Sequence, residues 1–236
     1  MNLNKVTNYL SKFIYDPKVC IMLGSGLDNF TEIISNKITI PYTDIPSFYQ
    51  TSVEGHKGEF IFGNINNVPK PKLSIITNSS GCLNINWKIG SLMISNKIID
   101  FSFINSSDVQ THLFKKNKYF DLAKDIALNN NINLNEGAYT YTIGPSYETF
   151  PEIKEIISLG GSAVGMSTFP EYLMCKKLDL NFIIISCLTN YGAGIQKNKV
   201  THDEVLENAD KSKKIFSLYL TKIIENIERP RKLKRK

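Results

Sequence analysis

The stretch from Gly137 to Gly194 constrains the fold more than any other part of the chain, because short apolar runs alternate in it with helical patterns. β-Branched, aromatic and apolar runs predict strands, and apolar residues at helical spacing, bounded by Gly or Pro, predict helices. Such alternation indicates a single α/β domain with a mixed, mostly parallel sheet flanked by helices. The predicted elements are, in order, a strand at 139–143, a helix at 152–159, a strand at 163–165, a helix from 170 and a strand at 182–187.

A polar cluster follows each of these three predicted strands. The clusters are Ser146-Tyr147-Glu148, Met166-Ser167-Thr168 and Thr189-Asn190. Ligands of parallel α/β sheets bind beyond the carboxyl ends of the strands. We therefore expect the three clusters to converge on one site.

The charge of the chain is unevenly distributed. Six of the 28 basic residues, including all three arginines, fall in residues 229–236, so residues 1–228 carry 22 basic and 22 acidic side chains. We expect 1–228 to form the domain and 229–236 to be a disordered, solvated basic tail, with loose attraction to nucleic acid or a membrane surface as the alternative. The neutral body, which lacks a basic stripe with interleaved aromatics, argues against specific nucleic-acid binding.

Cysteine usage and the N-terminal sequence bear on location and metal binding. The four cysteines are scattered without a CxxC pair, which favours reduced, buried thiols over a metal site or a disulfide. The N-terminus has no signal-peptide apolar core, and no run reaches the roughly 18 apolar residues of a membrane span. We expect a cytoplasmic protein that does not associate with membranes.

Three sequence blocks, GPSYET at 144–149, VGMST with a following Pro-Glu at 164–171 and SxxTN at 186–190, resemble the signatures of the trimeric purine nucleoside phosphorylase family. Their order and spacing match as well as their residues. The resemblance implies a nucleoside phosphorylase fold, a homotrimer, and phosphorolysis of inosine or guanosine to free base and ribose 1-phosphate in purine salvage. It also implies inorganic phosphate as co-substrate, with no cofactor and no metal.

The resemblance also assigns roles to residues of the base and ribose sites. Glu148 would accept from N1–H of a 6-oxopurine, and Asn190 would hydrogen-bond N7 and O6 with its amide. Tyr147 would stack on the base, Met166 would lie under the ribose, and His202 would contact the 5′-hydroxyl.

A second group of residues would bind phosphate. Lys18 to Leu23 predicts a buried strand that runs into Gly24-Ser25-Gly26, a loop of the kind that cradles anions with backbone N–H groups. By resemblance, Ser25, His56 of the Gly55-His56-Lys57-Gly58 block, the backbone at Ser79 and Ser167 would contact phosphate, and His56 would join Glu148 and Asn190 as a catalytic residue.

An internal deletion separates this chain from the family pattern. Some three dozen residues that carry a phosphate-binding Arg, a second His and a ribose-site Tyr have no counterpart between Pro69 and Leu73, and residues 1–228 contain no Arg. Lys57, Lys70 or Lys72 would restore charge but not the fork geometry of a guanidinium. The sheet must then re-pair its edges or expose them.

Several alternatives stay open at the level of sequence. Glu148 could cap the helix that follows it, and Asn190 could be a turn residue at a strand end. A protein that binds purine or serves assembly without catalysis, having lost its phosphate site, is the second functional hypothesis. A hydrolase, in which water attacks the sugar, is the third, although the sequence shows no carboxylate cluster for calcium.

Overall fold

The computed structural model describes residues 2–13, 17–24, 27–49, 57–64, 70–104, 106–115, 117–195 and 202–227. The strands are β1 Pro17–Met22, β2 Ser35–Pro41, β3 Glu59–Asn64, β4 Lys70–Cys82, β5 Leu92–Asp100, β6 Gln110–Leu113, β7 Leu134–Tyr141, β8 Ala163–Gly165 and β9 Phe182–Tyr191. The helices are α1 Leu3–Leu10, α2 Lys118–Asn129, α3 Phe150–Ser158, α4 Phe169–Lys177 and α5 His202–Asn226, with 3₁₀ turns at Asp28–Ile33 and Tyr42–Asp44.

Seven of the described strands form one mixed sheet that closes on itself. Its order is β1-β4-β8-β7-β5-β6, and β9 pairs with both β4 and β5. Strands β4, β8, β7, β5 and β9 therefore form a ring. Four of the seven described pairings are parallel, which confirms the predicted α/β class with a mixed, mostly parallel sheet.

Alternating side chains of the strands supply hydrophobic clusters on the two faces of this sheet. On β9, Ile183 and Ile185 pack with α2 and α5, whereas Ile184 and Leu188 belong to the cluster that includes Phe169 and Tyr172 of α4. Strands covered on both faces explain why the sequence shows near-continuous apolar runs rather than polar alternation.

Strand β8 runs in opposite directions relative to its two neighbours in the sheet. Strand β8 pairs parallel with β7 but antiparallel with β4, where Gly81 opposes Val164. The three polar clusters therefore do not share one edge of parallel strands. They approach one another because the ring brings the ends of β7 and β8 alongside the last residues of β4.

Two strands that precede the sequence deletion form a separate ribbon. Strands β2 and β3 form a two-stranded antiparallel sheet, and within the described residues neither pairs with the large sheet. Strand β1 pairs with β4 alone among the described strands, so it forms one end of the sheet order.

The N-terminal helix begins earlier than the sequence pattern suggests. The side chain of Asn2 accepts from the amide of Lys5 at 3.2 Å and caps a helix at Leu3–Leu10, whereas the apolar spacing predicts one at 8–14. A 3₁₀ turn at Asp28–Ile33 follows the glycine loop. None of the described helices combines the length and apolar character needed to cross a bilayer.

Candidate active site

The candidate site is built around the last residues of β4, from Asn78 to Gly81. Asn78 is buried, and its Nδ2 donates to Oγ1 of Thr168 at 2.8 Å. Gly81 faces the amide of Asn190, because a Cβ placed on Gly81 would lie 3.6 Å from Asn190 Nδ2 and 3.3 Å from Val164. Two of the three predicted clusters therefore contact this segment directly.

The turn after β8 carries Ser167 at the surface and Thr168 in the interior. Thr168 is 1% exposed and has a φ of 84°, a left-handed conformation that is uncommon for a β-branched residue. The hydroxyl of Tyr139 donates to the carbonyl oxygen of Ser167 at 3.0 Å. Bonds from the sheet on both sides of this peptide hold the turn in place.

Glu148 is held by the end of β7. Oγ1 of Thr142 donates to Oε1 of Glu148 at 2.6 Å, and the amide of Thr142 donates to the carbonyl of Gly165 at 3.0 Å. Thr142 therefore links the carboxyl group of Glu148 to Gly165, the last residue of β8, which directly precedes Met166 and Ser167. Glu148 is half-buried, unlike its neighbour Tyr147, which is 85% exposed.

The structure decides against Glu148 as a helix cap. Helix α3 begins after Thr149, whose amide and hydroxyl both donate to Oε2 of Glu152 at 2.7 Å. The Glu152 carboxylate thus satisfies the amide of the N-cap residue without Glu148. The carboxylate of Glu148 faces Thr142 instead, and within the described residues its Oε2 accepts no hydrogen bond.

Asn190 lies within β9, next to the end of β4, rather than in a turn. Its Oδ1 accepts from Oγ1 of Thr189 at 2.9 Å, and its Nδ2 donates to the carbonyl of Tyr191 at 3.1 Å. Oγ1 of Thr189 also lies 3.4 Å from the carbonyl of Ser80. The exposed amide is thus oriented by its own strand.

Of the remaining predicted base and ribose residues, the structure describes the side chains of Met166 and Tyr147. Met166 is half-buried beside Gly144, and Tyr147 projects from the loop between β7 and α3. His202 is the first residue of α5, but its side chain lies outside the described residues.

The predicted phosphate residues are described in part. Ser79 is half-buried on β4, where it is the partner of Cys187 on β9, and Ser167 is exposed beside Thr168. Ser25 and His56 lie outside the described residues, as does the basic tail at 229–236. Gly24, which precedes Ser25, donates its N–H to Oγ1 of Thr77 at 3.3 Å.

Gly24 shows why the loop after β1 requires glycine. A Cβ at this position would lie 2.7 Å from Cα of Asn78, closer than side chains approach backbone. The glycine loop and the turn at Thr168 therefore contact the same residue, Asn78, from different directions.

Sequence reasoning missed three pairs in this region: Thr142 with Glu148, Asn78 with Thr168, and Asp28 with Lys57. Nζ of Lys57 lies 2.9 Å from Oδ2 of Asp28. The partners of the last two pairs are far apart in the chain, so no local pattern announces them. Lys57 itself was predicted only as one of three lysines that could restore charge.

A histidine outside the predicted set lies on β6. The ring of His112 packs against those of Phe169 and Tyr172, with centroids 5.5 and 5.6 Å away. Burial, followed by the charge of Lys176, lowers the pKa of His112. The aromatic packing makes His112 a structural residue. Phe114, on the same edge, packs on Tyr172 and Phe182.

Metal-ligating side chains are dispersed in the described part of the chain. His, Cys, Asp and Glu residues form no group of three or more there that could hold a metal ion. The cysteines described are free thiols, of which Cys82, Cys175 and Cys187 are buried and Cys20 is exposed.

Comparison with known proteins finds the same family in sequence and in structure. The model of the phosphorylase superfamily matches residues 70–225. Purine nucleoside phosphorylase 1 of Geobacillus stearothermophilus is 30% identical over 261 residues, covering 92% of this chain and 93% of the relative. Purine nucleoside phosphorylase 1 of Bacillus subtilis is 31% identical over 252 residues, covering 90% of this chain and 93% of that protein.

A solved structure supports the same assignment at the level of the fold. Purine nucleoside phosphorylase of Schistosoma mansoni in complex with inosine superimposes with a TM-score of 0.80 at 26% identity, covering 95% of each chain. The Glu148 and Asn190 blocks that suggested the family lie within the matched residues 70–225. The chain belongs to the purine nucleoside phosphorylase family of the phosphorylase superfamily, and it is an enzyme of that family.

Proposed function

We propose that this protein cleaves 6-oxopurine nucleosides, inosine and guanosine, with inorganic phosphate, and releases the free base and ribose 1-phosphate. Phosphate is the co-substrate and no cofactor takes part. The observation that carries the proposal is the hydrogen bond from Thr142 to the Glu148 carboxylate, since Thr142 is also bonded to Gly165, next to the turn that bears Ser167. Asn190 of β9 lies beside Gly81 at the end of β4.

The base side of the site requires groups that stabilise negative charge on a leaving purine. Thr142 engages Oε1 of Glu148, so Oε2 is available to accept from the N1–H of a 6-oxopurine. The amide of Asn190 offers Nδ2 as a donor to O6 and Oδ1 as an acceptor for a proton that N7 takes up as the purine leaves. Its bonds to Thr189 and Tyr191 fix the amide plane before substrate arrives.

The sugar side of the site requires an anion close to a cationic ribose. Phosphorolysis breaks the C1′–N9 bond, and phosphate oxygen forms the new bond to C1′ as the bond electrons leave with the purine. Ser167 and the backbone at Ser79 would bind that phosphate, together with Ser25 and His56. Tyr147 would cover the base, Met166 would lie under the ribose, and His202 would contact the 5′-hydroxyl.

The direct test is hypoxanthine release from inosine, with and without phosphate, by wild type and by Glu148→Ala. We expect turnover only with phosphate, and at least a hundredfold loss of kcat/KM in the variant, because the developing charge on the base loses its partner. Guanosine and adenosine run in parallel measure the preference for a 6-oxo group.

Two results would contradict the proposal. Inosine cleavage that proceeds equally without phosphate would identify a hydrolase. A folded sample that binds hypoxanthine but releases none from inosine would identify a binding protein. The second result would also indicate that the missing arginine is needed for turnover. Its charge-assisted bonds to phosphate are each worth about 1.5–3 kcal/mol.

We also propose that the protein forms a homotrimer, acts in purine salvage and resides in the cytoplasm, as the resemblance to its family implies. The assembly is measured by light scattering on a size-exclusion column. A monomeric, fully active sample would refute the trimer.

A further inference from the structure

An ion pair connects two residues that closely follow predicted phosphate residues in the chain. Nζ of Lys57 lies 2.9 Å from Oδ2 of Asp28, and the two side chains are 56% and 39% exposed. Asp28 opens the 3₁₀ turn that follows the Gly24 loop, and Lys57 directly follows His56. The Gly24 loop and the His56 block are the segments that the family resemblance assigns to phosphate.

A short chain of contacts connects this pair with the turn that bears Ser167. The amide of Leu27, next to Asp28, donates to the carbonyl of Gly24 at 3.1 Å. Gly24 lies against Asn78, and Asn78 donates to Thr168, the neighbour of Ser167. Lys57 is therefore connected through the backbone of the β1 loop to the turn that presents Ser167.

The charge inventory of the chain makes this lysine important. A phosphate near neutral pH carries between one and two negative charges, and its site needs a compensating cation. Residues 1–228 contain no arginine, so a cationic side chain that compensates phosphate within them is a lysine or a histidine. A carboxylate at Asp28 would repel phosphate if it were unpaired, and Lys57 neutralises it.

We propose that Lys57 is the phosphate-binding cation of this enzyme and that Asp28 holds its ammonium beside the β1 loop until phosphate binds. This role rests on the proposed phosphorolysis and takes the place of the arginine that the deletion removed. A lysine suits a single-point contact, since its ammonium acts as a point charge and its exposed stem can swing from the carboxylate to the ligand.

The electrostatics of the pair agree with the geometry. The hydrogen bond from Lys57 is the first cause that holds the pKa of Asp28 below its ordinary value, and the charges of Lys57 and Lys213 also lower it. The same hydrogen bond raises the pKa of Lys57. Lys57 therefore stays protonated across the neutral range in which phosphate is a mono- or dianion.

The test measures the binding of inorganic phosphate to the free enzyme by titration calorimetry. We expect Lys57→Gln to weaken phosphate binding about tenfold, through the loss of a charge-assisted contact that is partly screened by solvent. We expect Asp28→Asn to strengthen it about threefold, because a competing negative charge is removed. Lys57→Arg should bind within about threefold of wild type, since the charge is retained.

A matched control is available elsewhere in the fold. Lys124 of α2 is similarly exposed, at 47%, and pairs with Glu136, and α2 contributes no residue to the proposed site. Lys124→Gln removes the same charge from the protein, so its phosphate affinity should stay within about twofold of wild type.

The opposite effects expected for Asp28→Asn and Lys57→Gln on phosphate affinity distinguish a phosphate-binding lysine from a purely structural ion pair. If the pair only joined two loops, both substitutions would weaken phosphate binding and lower the melting temperature together, and the proposal would be wrong. Equal affinity in wild type and Lys57→Gln, or a wild type that binds no phosphate, would also overturn it.

The outcome is distinguishable from that of the proposed function. Phosphate binding with the expected signs, but no phosphate-dependent cleavage of inosine, would refute the phosphorolysis and leave the Lys57 site standing. Phosphate-dependent cleavage of inosine without the expected changes in phosphate affinity at Asp28 and Lys57 would refute the Lys57 site alone.

Discussion

The side-chain amide of Asn78 donates to the hydroxyl of Thr168 at 2.8 Å, and both residues are 1% exposed. This bond joins β4 to the turn after β8 across 90 residues of sequence. Oδ1 of the same amide has no hydrogen-bond partner within the described residues. The turn that presents Ser167 is thus held by this buried amide donor and by the hydroxyl of Tyr139.

We expect Asn78→Ala to lower the free energy of unfolding by about 1–3 kcal/mol, because a buried hydrogen bond is lost and a cavity remains. It should also raise the KM for phosphate more than the KM for inosine, since Ser167 loses its support. Denaturant unfolding and two-substrate kinetics check both effects. Thr168→Ser, which keeps the hydroxyl, serves as the control, and equal changes in the two KM values would contradict the positioning role.

Thr142→Val should reduce kcat/KM for inosine about tenfold, with little change in stability. Valine keeps the shape of threonine but cannot hold Oε1 of Glu148, so the carboxylate loses a charge-assisted bond. Thr142→Ser retains the hydroxyl and should recover most of the activity. Equal kinetics in the valine and serine variants would show that Thr142 does not position Glu148.

Glu152→Ala should lower the melting temperature by a few degrees and leave kcat/KM unchanged, because Glu152 caps α3 while Glu148 does not. The bonds from Thr149 lower the pKa of Glu152, so its stabilisation is present above the ordinary value of 4.5 and is lost as the pH falls through the lowered pKa. Thermal scans from pH 7 down to pH 3 should therefore show wild type and variant converging. A constant difference across that range would contradict the cap.

Gly24→Ala should destabilise the protein far more than Gly81→Ala. The new Cβ at Gly24 would lie 2.7 Å from backbone Cα of Asn78, whereas at Gly81 the nearest atom is a side-chain methyl of Val164 at 3.3 Å, which can shift. Melting temperatures measure the difference. Comparable losses at the two positions would show that the loop after β1 does not press on Asn78.

Alkaline pH should destabilise the fold through Cys187. Burial raises the pKa of its thiol from 9.0 to about 12, so the stabilising contribution is complete below pH 9 and is lost as the pH rises towards 12. In that window one such group changes the unfolding free energy by about 1.4 kcal/mol per pH unit. Burial also raises the pKa values of Tyr139 and Tyr219, which act in the same direction.

The measurement is urea unfolding between pH 8 and 11, compared for wild type and Cys187→Ala. The variant should lose stability less steeply with pH, whatever its stability at pH 8. Parallel slopes would show that Cys187 does not ionise on unfolding in this range.

Much of the candidate site could be predicted from local sequence. Turn signals and apolar runs located β7, β8 and β9 to within five residues at each end, and Thr168 and Asn190 each contact the last residues of β4. The expectation of one parallel edge was incomplete, because β8 runs antiparallel to β4. Strand direction depends on which distant strand becomes the partner, and no window of the sequence contains that information.

The roles of Glu148 and Glu152 also could not be distinguished from local sequence. Both acids precede or open α3, and a cap by either is compatible with the sequence. The backbone at Thr149 places its amide and hydroxyl towards Glu152, and Thr142 captures Glu148. A difference of a few ångströms in tertiary position separates a structural carboxylate from a candidate catalytic one.

The sequence by itself determined the elements, the polar residues at their ends and the absence of arginine from residues 1–228, since these depend on composition and local periodicity. Only the tertiary structure decided the closure of the ring by β9, the clamp between Asn78 and Thr168 and the pairing of Lys57 with Asp28. Each of these joins residues that are distant in the chain, and such contacts form only when burial of the whole core offsets the entropy of closing the intervening loops.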